Sequence, residues 1–307
     1  MRGAVRLPDP ELSEVAPGVL TYVQPDGSWM INNTGAVVGR SAVVLVDTTS
    51  TEPRNRALLT AVAERSGNLP VRTLVNTHHH ADHTFGNWLL PPGTTIVGHR
   101  RCRDEVLRAG LVVQALFPNA DYGDVRVVPP TLTFEDTLTL HVDDTVVELA
   151  FVGPAHTLGD VIAWLPAHGM VFTGDLVFHG AHPFLAEGCL ANYPRALERV
   201  RELDASILVP GLGSLAGPEV LDDLLAYADW LTELARDGFS RGREPLEVAR
   251  GADLGPFATW REGERLVGNL ARAYSELRGE PLGAPLDLVA VVQAMMEFNG
   301  GPLRCLA

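Results

Sequence analysis

Four histidines and an aspartate fall within six positions, as His78, His79, His80, Asp82 and His83, at the end of the apolar run 71–76. Side chains two apart on an extended chain point the same way. The run therefore reads as a buried strand that delivers His78 and His80 to one side and His79 to the other. Asp82 and His83 follow where the chain must turn, and 84–90 reads as the first turns of a helix. Two parallel neutral imidazoles, joined by a carboxylate and a third imidazole, give the nitrogen and oxygen donors that zinc prefers. A solvated histidine-rich turn is the bland alternative, and the spacing His-x-His-x-Asp-His argues against it. Downstream, His156 sits in the Gly/Pro-bounded loop 153–160, and Asp175 follows the apolar run 170–172. Upstream, Asp47 closes the buried run 43–47, where a turn or helix-cap role is the ordinary expectation.

The pattern resembles the metallo-β-lactamase superfamily from about residue 17 to about residue 235. That resemblance implies a zinc-dependent fold of the α/β (α+β) class, a four-layer αββα sandwich, here with a C-terminal helical appendage. It implies His78, His80 and His156 as a three-imidazole site whose fourth tetrahedral position is open to water or a substrate oxygen. It implies Asp82 and His83 as a second site, Asp175 as the carboxylate shared between the two, and Asp47 as a carboxylate that orients a ligand from behind. One position departs from the family. Where Pro-Gly-His-Gly is usual, this chain reads Pro210-Gly211-Leu212-Gly213, and Leu212 has no electron pair to donate. Three outcomes stay open: a second zinc held more weakly, His179 or His182 replacing the missing donor, or a one-zinc enzyme in which Asp82 serves as general base.

Two further stretches, Tyr22 to Trp29 and Glu297 to Ala307, look like actinomycete cyclase/thioesterases of the same superfamily that act in aromatic polyketide biosynthesis. That likeness implies aldol closure and thioester hydrolysis of a small-molecule or carrier-bound polyketide, with an acyl carrier protein as partner. The helix expected over 99–110, with Arg100, Arg101, Arg103 and Arg108, would then be the docking strip for an acidic carrier; a solvated face is the bland reading. A generic intracellular hydrolase of small thioesters, lactones or lactams is the alternative. A decayed site kept as a binding scaffold is the alternative of another class, and metal content separates it from both.

The elements that must position these residues follow from periodicity. Strands are expected at 18–23, 31–38, 42–47, 71–76, 94–99, 131–140, 145–152, 161–166, 170–172 and 205–210, with covering helices at 51–66, 193–203 and 217–237. Thr51 is the expected N-cap of the first helix. Residues 111–130, with mixed polarity and three prolines, read as a lid or pocket wall. Residues 1–237 are taken as the catalytic domain and 238–307 as a helical extension packed on it, a cap or a dimerisation element. His79, His99, His141 and His168 read as structural or surface residues.

With 307 residues and 46% hydrophobic content, the chain can bury a large core. Its formal charge of −14 argues against nucleic acid or an anionic membrane as partner. Cys102, Cys189 and Cys305 are odd in number and scattered, so no disulfide framework is expected. The first twenty residues lack an apolar secretory core, and no run reaches about 18 apolar residues, so a cytoplasmic setting is expected.

Overall fold

The computed structural model describes residue 7 and residues 9–24 and 26–307. The reading of the first twenty residues, and Pro25 within the 22–29 stretch, therefore lie partly outside the described residues. The first sheet opens with β1 (Glu11–Ala16), β2 (Val19–Val23), β3 (Thr34–Val38) and β4 (Val43–Val46), an antiparallel meander. From β4 onward the pairing is parallel, through β5 (Val71–Val75), β6 (Thr95–His99) and β7 (Leu132–Phe134). Parallel strands covered on both faces read as continuous apolar runs, and all four residues of β4 are buried.

The crossover from β4 to β5 is helix α1 (Glu52–Arg65). It lays Leu58 and Val62 against Leu20, Ala36, Leu45 and Leu74 on the outer face of the sheet. Thr51 holds its N-cap position without a side-chain cap bond; Asn55 takes over, donating to the Thr51 carbonyl and accepting from Thr49 N. The inner face presents Val37, Val44, Val46 and Val75 to Val147, Leu149, Val161 and Phe172 of the second sheet. After β5 come the single turn α2 (Ala81–Thr84), then α3 (Arg100–Ala109) and the short α4 (Val113–Leu116).

The second sheet has the order β12-β11-β10-β9-β8, built from β8 (Thr137–Val142), β9 (Thr145–Phe151), β10 (Val161–Leu165), β11 (Met170–Phe178) and β12 (Ile207–Leu212). Within this sheet only the β11–β12 pair is parallel among the described residues, and α5 (Tyr193–Arg201) makes its crossover. The outer face of this sheet, with Ile162, Val171 and Val177, packs with Leu197 of α5 and with Leu224 and Leu231 of α6 (Val220–Ser240). Helix, sheet, sheet and helix stack in that order, which is the αββα sandwich. The chain then adds α7 (Pro245–Gly251), α8 (Arg265–Leu277) and α9 (Leu288–Asn299). No helix among the described residues is long and apolar enough to cross a membrane.

Several boundaries differ from expectation. β1 was not expected, because Glu11-Leu12-Ser13-Glu14-Val15-Ala16 is half polar and flanked by proline; it is a half-exposed edge strand. The single strand expected over 131–140 breaks at Glu135-Asp136, where the chain passes from the first sheet to the second. The helix expected over 84–90 instead begins at Ala81 and stops after one turn, with a second short turn at Asn87–Leu89.

Candidate metal centre

β5 ends at Val75, and residues 77–79 bend instead of continuing the strand. Strand alternation therefore fails at the motif: His79 and His80 line the cleft with His156, and His78 and His83 are buried against them. Ring centroids lie 4.8 Å apart for His78 and His80, 4.2 Å for His78 and His83, and 4.7 Å from His156 to each of His78 and His80. His79 does not point away to a surface as expected. It is buried on the same cleft, with Nε2 3.9 Å from Glu187 Oε1.

The hydrogen bonds on the outer nitrogens fix which nitrogens face inward. His80 Nε2 is 2.9 Å from Glu187 Oε2, and His156 Nδ1 is 2.6 Å from the Phe184 carbonyl, so both outer nitrogens carry the proton. Thr77 Oγ1 donates to Asp47 Oδ2 at 2.7 Å, leaving its oxygen to accept from His78 Nδ1 at 3.1 Å. His83 Nδ1 donates to the same Asp47 Oδ2 at 2.8 Å. The second nitrogen of each of the four rings thus faces inward. His80 Nδ1 and His156 Nε2 stand 2.9 Å apart, close enough to share a proton or to face one cation together. His78 Nε2 and His83 Nε2 are buried without any hydrogen-bond partner, as is Asp175 Oδ1. The last two lie 3.0 Å apart but off the line of a hydrogen bond, as atoms aimed at a common third atom do.

Donor atoms of His78, His80, His156 and Asp175 all lie within 4.8 Å of one another, as do those of Asp82, His83 and Asp175. These residues fit a divalent transition metal. Burial, reinforced by neighbouring imidazoles, holds His78 and His156 well below the usual histidine range, so both are neutral donors. Burial also opposes charge on His83, yet Asp175, Asp47 and Asp82 overcome it and raise its pKa well above the ordinary value. Burial pushes the Asp175 carboxyl upward against the pull of His83. The pocket favours positive charge wherever a lone pair and a carboxylate meet.

The loops carrying these groups are braced. Asp47, at the end of β4 with φ 60°, accepts from Thr77 N at 2.8 Å. Asp160 accepts from the backbone of Ala155 and Thr157 and so holds the turn that presents His156; burial lifts its pKa to about 6. Gly211 lies so close to Asp175 that a Cβ there would stand 1.9 Å from Oδ1.

The family model described as the metallo-beta-lactamase superfamily matches residues 27–212. The chain belongs to this superfamily. It is 22% identical over 224 residues to a metallo-beta-lactamase type 2 of Bacteroides fragilis, covering 70% of this chain and 83% of that one. It is 26% identical over 179 residues to the 2,4-dinitroanisole O-demethylase subunit alpha of Nocardioides sp. strain JS1661, covering 57% and 51% of the two chains. A hydroxyacylglutathione hydrolase of Bdellovibrio bacteriovorus is 28% identical over 146 residues, covering 47% and 50%. The chain spans about half the length of these last two relatives. Among solved structures, a metallo-beta-lactamase from Pontibacter korlensis superposes with a TM-score of 0.58 at 22% identity, over 72% of this chain and 99% of that one, and shares the fold.

Within this superfamily fold, Leu212 lies at the end of β12, buried on the cleft beside Asp175. Neither alternative histidine reaches it. His179 Nδ1 is bound to the Ser214 carbonyl at 3.0 Å on the exposed side of the loop. His182 is packed against Tyr227 and Trp260, and burial lowers its pKa to about 4. His99 caps α3 and stacks on Phe151 at 4.0 Å, a structural role as expected.

The cleft holds about 1120 Å³ of empty space, its open mouth included. Val112, Val113, Leu116 and Phe117 line it, so residues 111–130 do form a pocket wall, and Leu288, Val292, Met295 and Leu303 form another. Helix α8 supports the centre from behind. Arg265, Asn269 and Arg272, spaced four and three apart on one face, donate to the carbonyls of His182, Pro183 and Ala186. They fix the loop that carries Phe184 and Glu187, the outer partners of His156 and His80. Sequence reading missed Glu187 and Arg265: one sits in a loop without periodicity, the other on a helix face that reads as ordinary amphipathic polarity.

Proposed function

We propose that the protein is a zinc-dependent hydrolase that cleaves an ester or thioester whose acyl part fills an apolar cleft. The observation that supports this reading is the convergence of His78, His80 and His156, with ring centroids 4.7–4.8 Å apart, beside a cleft lined by His80, His156 and aliphatic and aromatic side chains. When bound, zinc supplies Lewis acidity toward a carbonyl oxygen and lowers the pKa of water. His78, His80 and His156 would hold it, and Glu187, Phe184 and Thr77 keep those rings from turning. Asp82, on the cleft surface with Oδ2 3.6 Å from His83 Nε2, accepts a proton from the attacking water. Trp29, with the rings of Phe117 and Phe184 centred 5.6 and 5.2 Å from its own, excludes bulk water with them and seats the acyl chain.

The size and apolar walls of the cleft also favour a second reading: ring closure and release of a polyketide chain held as a thioester. In that reading the arginines of α3 are the docking strip for an acidic carrier, with Arg101 lying over the Phe151 ring. Arg100 pairs with Glu135, Arg108 with Glu105, and Arg103 donates to the Pro130 carbonyl. A panel of acyl thioesters of rising chain length, beside a lactone and a lactam, tests the first reading on the zinc-loaded chain. Rates rising with acyl length and lost in His156→Ala agree with it, while preference for the lactam or no hydrolysis of any panel member contradicts it. Cyclised product from a poly-β-ketone thioester would mark the second reading.

A further inference from the structure

Arg265 is the first residue of α8, beyond the residues that match the superfamily, and is 1% exposed. Its guanidinium carbon stands 4.2 Å from the Trp29 ring centroid and 5.3 Å from that of Phe178. Phe178 lies opposite Leu212 in the β11–β12 register, and its ring is 5.7 Å from that of His156. Arg265, Asp82, Asp175 and Leu212 line one cleft. Among the described residues no carboxylate oxygen comes within 4.0 Å of the guanidinium; Nη1 donates to the His182 carbonyl, and Nε has no partner. The adjacent Glu264 is engaged by Trp29 Nε1 at 2.8 Å. A buried cation without a contact ion pair is costly unless nearby carboxylates compensate it through the low-dielectric interior. Glu262 and Glu264 do so here, with Asp175 and Asp82 adding to them.

We propose that the Arg265 guanidinium takes the electrostatic place of a second metal ion, so that the centre holds one zinc where Leu212 removes a donor. Two features act together. Leu212 deletes a ligand, and a fixed positive charge lining the same cleft as Asp82 and Asp175 repels a second dication. Arg54, the other buried cation near Asp82, does not line the cleft. The inference rests on the metal-dependent reading above and deepens it.

The test is zinc stoichiometry of the full-length chain, by equilibrium dialysis against buffered zinc and elemental analysis, with cobalt(II) absorption as a second readout. The native chain is expected to take one ion. Leu212→His alone is expected to remain near one, because the cation stays. Arg265→Gln, which keeps a donor for the His182 carbonyl, and above all Leu212→His/Arg265→Gln, should admit a second ion with affinity raised roughly tenfold or more. Arg265→Lys keeps the charge and should stay at one, which separates charge from the tether. Two tight ions in the native chain, or a second ion in Leu212→His as tight as in the double variant, would overturn the inference and leave the hydrolase reading standing. So would an unchanged stoichiometry in a folded double variant. No ion in any variant would overturn both.

Discussion

The two sides of the metal centre are built differently. On one side His78, His80 and His156 each have an outer nitrogen hydrogen-bonded to the protein, and burial holds His78 and His156 neutral while Glu187 raises the pKa of His80. On the other, His83 stands between Asp82 and Asp175, Leu212 fills a donor position, and Arg265 lies on the shared cleft. The first side is organised to give electron pairs to a cation. The second already has positive charge near its carboxylates. The difference teaches that a superfamily motif can be intact in sequence while the chain beyond it, here α8, alters what the motif can bind.

The sharpest way to break the contrast is to remove a donor from the braced side. His156→Ala should lose tightly held zinc and lower kcat/KM by about 10³-fold, while the same assay on His179→Ala stays at the native value. Elemental analysis and thioester kinetics on the two proteins check this. Next in size is Glu187→Gln, which removes the anion behind His80 and should weaken zinc binding by about 10–100-fold in competition with a chromophoric chelator. An unchanged affinity would mean that Glu187 serves the loop alone.

A cleft substitution probes the substrate side of the account. Met295→Trp narrows the wall supplied by α9, and should raise KM for a long-chain thioester about tenfold while leaving an acetyl thioester nearly unaffected. The smallest effect concerns Glu262, beside Arg265. Burial, partly offset by Arg265, lifts its pKa from 4.5 to about 7. A carboxyl with a raised folded pKa binds its proton more tightly in the folded chain, so its contribution to stability is present at low pH and is lost as pH rises from 4.5 through 7. Glu262→Gln should therefore match the native melting temperature at pH 4.5 and exceed it by about 2–4 °C at pH 8, as read by thermal denaturation.

Much of the sandwich was legible because its strands are apolar runs of the right length. The metal motif was legible because six residues carry four imidazoles and a carboxylate. His156 and Asp175 were placed through family likeness, and the structure brings both against His78, His80 and His83. The direction of His79 was misread because period-two alternation holds only while the strand lasts, and β5 ends four residues earlier. Glu187 and Arg265 were invisible for a different reason. Their contacts to His80 and to the cleft span more than 80 residues of chain, and a polar residue that packs inward at long range leaves no local pattern.

Transition-metal content of the purified full-length chain, after exhaustive dialysis against a weak chelator, tests the central claim most directly. The account predicts one zinc per native chain and none retained by His156→Ala. A native chain that emerges without transition metal and takes up none on dialysis against zinc would contradict it.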